Sequence, residues 1–147
     1  MSEHRVTVTW ERTGEELTYE SYSRSHTWEF EGGVSVPASA APAYRGDPER
    51  VDPEEAFVAA LSSCHMLTFL AIAAKKRLVV DAYRDSAVGY LEENAEGKLA
   101  MTRVVLRPEV SFREPPSPEA LDRLHHQAHE HCFIANSVKT DVRVEPV

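Results

Sequence analysis

The chain has two cysteines, Cys64 and Cys132, standing 68 residues apart. A thiolate can attack an electrophile, bind a soft metal or exchange with a disulfide, so these are the first residues whose type could do chemistry. Two cysteines are too few for a disulfide scaffold, and their spacing lacks the close pairing of a zinc ribbon or a thioredoxin-like C-x-x-C. Two readings remain: buried, inert small hydrophobes, or a redox pair that the fold brings together. Near Cys132 stand His125, His126, His129 and His131, and His125 and His129 are four apart on one helix face. H-E-x-x-H is absent because position 126 is His, and no second ligand cluster exists apart from Cys64-His65, so no metal is expected. The plainer expectation is a partly exposed histidine helix, with His129 contacting any site at Cys132 and the others solvated.

Elements that could position these residues follow from periodicity. Cys64 lies in Ala59-Ala60-Leu61-Ser62-Ser63-Cys64-His65-Met66, inside a stretch from Pro53 to about Arg77 with no Gly and no further Pro. Asp52 fits the N-cap, Pro53 the first helical position, and Glu54 and Glu55 the positive end of the dipole. Glu55 follows Asp52 by three residues, as a capping box requires. Ala56, Leu61, Cys64, Leu67, Thr68 and Ala71 recur at helical steps, while Phe57, Leu70 and Ile72 widen the apolar surface beyond one stripe, predicting a central helix. A second helix opens at Ser117-Pro118, carries Leu121, Leu124 and Ala128 inward, and ends near His131, just before Cys132. Asn136 and Ser137 are expected to cap the turn that follows.

Alternation predicts an antiparallel meander from Arg5 to Val36, with strands around Val6 to Trp10, Leu17 to Tyr22, Thr27 to Phe30 and Val34 to Val36. Ala38 to Asp52 reads as a loop. Val79 to Leu91 and Leu99 to Phe112 read as two long strands joined by a turn at Asn94 to Gly97, and Val138 to Val144 as a last strand. The order βββ, long α, ββ, α, β, with no βαβ crossover pattern, predicts an α+β fold of antiparallel sheets packed around long helices.

Composition bounds the partners. A chain of 147 residues with 42% apolar content predicts one domain over residues 1–147. Lys and Arg number 16 against 24 Asp and Glu, a net charge of −8 that repels phosphate backbones and argues against nucleic acid. The longest low-charge run, Ala56 to Ala74, holds Ser62, Ser63, His65 and Thr68, which argues against a membrane span. MSEHRVTVTW has no apolar h-region, so a cytoplasmic protein is expected.

Pro53-Glu54 opening the central helix, the small residues Ala59 to Ser63 before Cys64, and Ala128-His129 before Cys132 together resemble the OsmC/Ohr family of thiol-dependent peroxidases. The resemblance covers most of the chain and implies an OsmC-like intertwined homodimer. His65 after Cys64 and Phe133-Ile134 after Cys132 mark a divergent member, since the best-known members have aromatic residues around the first cysteine and Cys-Pro at the second. An arginine of the N-terminal sheet and the glutamate of the Pro-Glu pair accompany the reactive cysteine in the family, which implies Arg24 and Glu54. Arg45 and Arg50 stand in the following loop, and segment order favours Arg24.

The implied chemistry is attack of the Cys64 thiolate on an organic hydroperoxide, a sulfenic acid, a Cys64–Cys132 disulfide, and reduction by an external thiol or dithiol of the lipoyl type, with no metal or flavin. Cys64 lies eleven residues past Pro53, too far for the helix dipole, so the arginine is the expected activator. Glu54 and Cys64, ten residues apart, are separated by a rise of about 15 Å on one helix. If both serve one site, the glutamate must come from a second copy, as a twofold interface allows. Two other readings are a non-catalytic dimeric small-molecule binder with inert thiols, and a cysteine hydrolase using Cys64 with His129 or His65. The hydrolase needs oxyanion donors that a mid-helix cysteine lacks.

Overall fold

Asp52 and Glu55 start the helix that carries Cys64. In the computed structural model, which describes residues 1–147, Asp52 Oδ1 accepts the Glu55 backbone N–H at 2.8 Å and Glu55 Oε2 accepts that of Asp52 at 3.2 Å. This reciprocal box satisfies donors that a helix start otherwise leaves orphaned. The helix α1 then runs unbroken over Pro53–Lys75. Beyond it Arg77 takes a left-handed conformation (φ 59°), and the Arg77 and Leu78 N–H groups return to the Ala74 and Ala73 carbonyls. That closes the C-terminus in the way a glycine commonly does.

The chain divides into two compact units, Met1–Ala56 and Phe57–Val147. The first unit is a three-stranded antiparallel sheet, β1 (Val6–Thr9), β2 (His26–Phe30) and β3 (Ser35–Ala38), with Val8 opposite Trp28 and Trp28 opposite Val36. The strand expected at Leu17 to Tyr22 does not form. The Thr18 carbonyl accepts the N–H groups of both Ser21 and Tyr22, and the Tyr19 and Tyr22 carbonyls accept from Arg24. These local bonds turn the segment back on itself and use groups a strand would offer to a ladder. After β3 the chain makes a 3-10 turn at Pro42–Tyr44. Gly46 then passes the Ala40 backbone so closely that a Cβ would sit 1.5 Å from its carbonyl oxygen, so only glycine fits there.

The second unit holds most of α1, then β4 (Val80–Asp85), β5 (Val88–Glu93), β6 (Leu99–Leu106), β7 (Pro108–Phe112), α2 (Pro118–Glu130) and β8 (Asp141–Val144). Each of the two long strands expected here is interrupted, one after Asp85 and the other at Arg107. The Asp85 carboxylate accepts the Arg107 N–H at 2.6 Å through Oδ1 and the Ser62 hydroxyl at 2.5 Å through Oδ2. A side chain takes the ladder position at the break, and the halves sort into a β4–β7 pair and a β5–β6 pair. The turn at Asn94 to Gly97 forms, with Asn94 Oδ1 accepting the Glu96 and Lys98 N–H groups.

β8 pairs parallel with β6, from Arg103 opposite Asp141 to Leu106 opposite Val144. Sequence periodicity gave no sign of this crossover, which runs through β7 and α2. Ala135–Ser137 form a 3-10 turn, and β8 begins only at Asp141 rather than at Val138.

α1 buries one stripe four residues apart, Leu61, His65, Phe69 and Ala73. Leu61 joins Val104 and Leu106 in one core cluster; Phe69 and Ala73 join Leu124 and Ala128 in another. Gly89 lets β5 approach, since a Cβ there would lie 2.4 Å from Val58 Cγ2 and 2.5 Å from Met101 Cε. Ser117 caps α2 by accepting the Ala120 N–H at 3.2 Å, as the sequence predicts.

Replacing Asp52 with Ala removes one half of the capping box and should lower stability by about 1 kcal/mol. Urea unfolding should show a lower midpoint with an unchanged slope.

Candidate redox site

Cys64 is half-buried on α1, with its carbonyl accepting the Thr68 hydroxyl at 2.9 Å. Cys132 follows His131, the C-cap of α2, and is only 1% exposed. A short turn fixes it. Its N–H donates to the His129 carbonyl and its carbonyl accepts the Asn136 N–H, while its sulfur accepts the Ala135 N–H at 3.5 Å. Asn136 Nδ2 donates to the Glu130 carbonyl at 3.0 Å and Ser137 Oγ to the Phe133 carbonyl at 2.7 Å, the capping work expected of both residues.

The two sulfurs, distant in sequence, are immediate neighbours, and both are free thiols. Burial pushes the Cys132 thiol up to about 11, with a further push from Cys64 beside it. N–H groups of Ala135 and Ile134 offset part of that. Cys132 is therefore protonated at neutral pH.

Two histidines are buried, His65 on α1 and His125 on α2, and His125 departs from the expectation of a solvated histidine helix. His65 is 1% exposed and His125 3%. His65 Nε2 and His125 Nδ1 are 3.2 Å apart, and the rings are parallel within 6° at 5.5 Å. Phe69 closes over His125, with ring centroids 4.5 Å apart. Burial lowers His65 to about 4, with smaller contributions from His125 and His129. His125 is also lowered by burial, against the opposing pull of Asp122 and Asp85. The sequence carried a signal for both. His65 sits four residues after Leu61 and four before Phe69, and His125 four after Leu121, so each lies on the inward stripe of its helix.

His126 and His131 are exposed as expected, and His126 faces Glu130 at 3.3 Å. No three His, Cys, Asp or Glu side chains are grouped so as to hold a metal ion.

Arg24 and Glu54 belong to the first unit. The Arg24 guanidinium donates to the Tyr22 carbonyl at 2.6 Å and to the Tyr19 carbonyl. It lies 3.7 Å over the Tyr22 ring and 5.0 Å from that of Tyr19. It forms one wall of an open, largely apolar pocket of about 760 Å³ shared with Trp10, Leu17, Tyr19 and Tyr22. Arg45 lies 5.5 Å from the Tyr19 ring, and Arg50 is committed to Asp47 and the His26 carbonyl. Glu54 Oε2 is buried and has no hydrogen-bond partner, so Arg24 and Glu54 are not bridged through it within the chain.

A family model described as OsmC-like protein matches residues 46–147. An OsmC-like protein of unknown function from Vibrio cholerae is 55% identical, with a TM-score of 0.95 over 100% of both chains. An organic hydroperoxide resistance protein from Legionella pneumophila matches at 16% identity and TM-score 0.74, covering 99% of this chain and 96% of that one. The organic hydroperoxide resistance protein OhrB of Bacillus subtilis matches at 17% and 0.69, covering 99% and 98%. At such identities the likeness is one of fold. No curated protein matches the chain.

The neutral, buried His65 has a consequence for acid stability. Its folded pKa of about 4 lies below the ordinary 6.5, so between those values the unfolded chain binds the extra proton and the folded chain does not. Stability should fall as pH drops from 6.5 to 4, by up to about 3 kcal/mol from this residue. Urea unfolding at pH 7 and pH 4.5 should show that loss in the wild type and a shallower one in His65→Leu.

Proposed function

Because the chain belongs to the OsmC-like protein family, we propose that it is a thiol-dependent peroxidase acting on organic hydroperoxides. The observation that carries this reading is the pairing of two free thiols, one half-buried on a rigid helix and one buried and protonated beside it. Hydroperoxide resistance proteins share the fold.

The Cys64 thiolate attacks the peroxide oxygen. A sulfur–oxygen bond forms, the O–O bond breaks, and its electron pair leaves on an alkoxide that takes a proton to become the alcohol. The Cys132 sulfur then attacks the sulfenic sulfur. A disulfide forms, the sulfur–oxygen bond breaks, and hydroxide departs with the Cys132 proton as water. An external dithiol returns both cysteines to thiols by exchange and is itself oxidised to a disulfide.

Arg24 is assigned the role of holding Cys64 as thiolate and binding a peroxide oxygen, because its planar fork is always charged. Glu54 is assigned the role of orienting that fork from a second copy of the chain. Its buried carboxylate oxygen lacks a partner within its own chain. α1 also leaves a stripe exposed at Ala60, Ser63, Leu67, Ala71 and Ala74, with Leu67 61% exposed. The helix is long and apolar enough to cross a membrane, with a mean hydropathy of 1.9 over its most apolar window. Packing against a second α1 about a twofold axis would cover this face.

One equivalent of cumene hydroperoxide should consume two thiols per chain, and non-reducing peptide mapping should find Cys64 bridged to Cys132. Cys64→Ser should not react, and Cys132→Ser should hold a sulfenic acid that dimedone traps. Thiols left unaltered would discard the peroxidase in favour of a non-catalytic binder. Sedimentation should give twice the chain mass of 16.5 kDa.

A further inference from the structure

Three buried ring nitrogens of the second unit have no hydrogen-bond partner: His65 Nδ1, His125 Nε2 and His129 Nδ1. Nearly all buried polar atoms in folded proteins are satisfied, so three in one cluster call for a reason. A purely structural histidine pair would end on a carbonyl or a carboxylate. This one is linked in the middle, His65 Nε2 to His125 Nδ1 at 3.2 Å, and has no partner at either outer nitrogen.

Its position is as informative as its bonding. His65 directly follows Cys64 on α1, and His129 lies one helical turn before Cys132, whose N–H its carbonyl accepts. On the other side, His125 and His129 line an open pocket of about 320 Å³ together with Asp122, His126, Val144 and Pro146. The pair therefore runs from the neighbour of the first cysteine to the wall of a pocket open to solvent.

Resting on the peroxidase reading above, we propose that His65 and His125 form a proton relay between this pocket and the Cys64 site, serving the departing alkoxide and then the regenerated thiol. In one tautomer His125 Nδ1–H donates to His65 Nε2, and His65 Nδ1 carries a proton. That proton goes to the alkoxide, His65 Nε2 takes the one on His125 Nδ1, and His125 Nε2, covered in the resting structure, takes one from a water that reaches it by way of the pocket. Both rings have then changed tautomer. After an external dithiol reduces the disulfide, Cys64 emerges as a thiol. It gives its proton to His65 Nδ1, the link shifts back, and His125 Nε2 releases a proton to the pocket. Each turnover moves one proton in and one out, and both rings return to their first state.

A relay of this kind requires imidazoles that are neutral and hydrogen-bonded to each other. Burial keeps both neutral at physiological pH. The charged and titratable groups acting on them are His129 and Asp122 on α2 and Asp85 on β4. The unpartnered Tyr83 hydroxyl on β4 lies in the same core through its contact with Phe69. The two carboxylates favour a proton at the His125 end, where solvent would supply it.

Stopped-flow oxidation by cumene hydroperoxide tests the proposal. His125→Ala should oxidise about a hundredfold more slowly, the lower end of what positioned proton transfer contributes. Imidazole added to the buffer should enter the vacated space from the pocket and restore the rate in proportion to its concentration. His125→Gln fills the space and can bond to His65 but cannot pass a proton on, so it should be equally slow and gain nothing from imidazole. His4→Ala, an exposed histidine of the first unit, should match the wild type. A folded His125→Ala that reacts at the wild-type rate, or whose loss imidazole does not repair, would overturn the relay. If His125→Ala does not fold, a wild-type rate in His125→Gln overturns it and a hundredfold loss with an unchanged melting temperature supports it. A wild-type chain that hydroperoxide leaves untouched overturns the peroxidase and the relay together. Failure of the relay alone leaves a reactive wild type.

Discussion

The contact of two sulfurs across 68 residues of sequence is the constraint on which the second unit depends. It requires α1 to be straight and fixed in register, and the end of α2 to stop at a defined point. The stripe of Leu61, His65, Phe69 and Ala73 sets the first, because each of these side chains is nearly or wholly removed from water. Ordered hydrogen bonds of the turn from Glu130 to Ser137 set the second. Burial by itself would make a pair of inert hydrophobes of the cysteines. The feature that departs from this is the exposure difference between them, which leaves Cys64 the more accessible sulfur and keeps Cys132 protonated behind it.

Both helices were legible because their signals are local. Asp52, Pro53 and Glu55 lie within one turn, and so do Ser117, Pro118 and Ala120; each set specifies a start without reference to the rest of the chain. The Asn94 turn is of the same kind. The strand breaks were not legible, because Asp85 interrupts a ladder 22 residues away by accepting the Arg107 N–H. Alternation continues through both breaks, so periodicity alone reads two strands where there are four. The parallel pairing of β8 with β6 is likewise a long-range choice, invisible in a four-residue strand.

The cysteines were picked out by type and setting, whereas His125 was judged by the composition around it and misread. Four histidines in seven residues look like a solvated face, but position along the helix decides the matter. His125 falls on the stripe of Leu121 and Leu124 while His126 falls one step outside it. Arg24 shows the converse. Its sequence neighbours Tyr19 and Tyr22 looked like strand residues, yet they form an aromatic seat for its guanidinium and supply the carbonyls it binds. Cation–π stacking of this kind fixes the plane of the fork while leaving its charge unneutralised.

The parallel alignment of β8 against β6 also sets an order of assembly. β6 emerges from the ribosome long before β8, and one of its edges has no strand to pair with until residues 141–144 have been made. Cys132 is delivered late in the same interval, after α2. A nascent chain therefore passes through a period in which Cys64 has been made while the sulfur that neighbours it in the finished protein has not yet been synthesised.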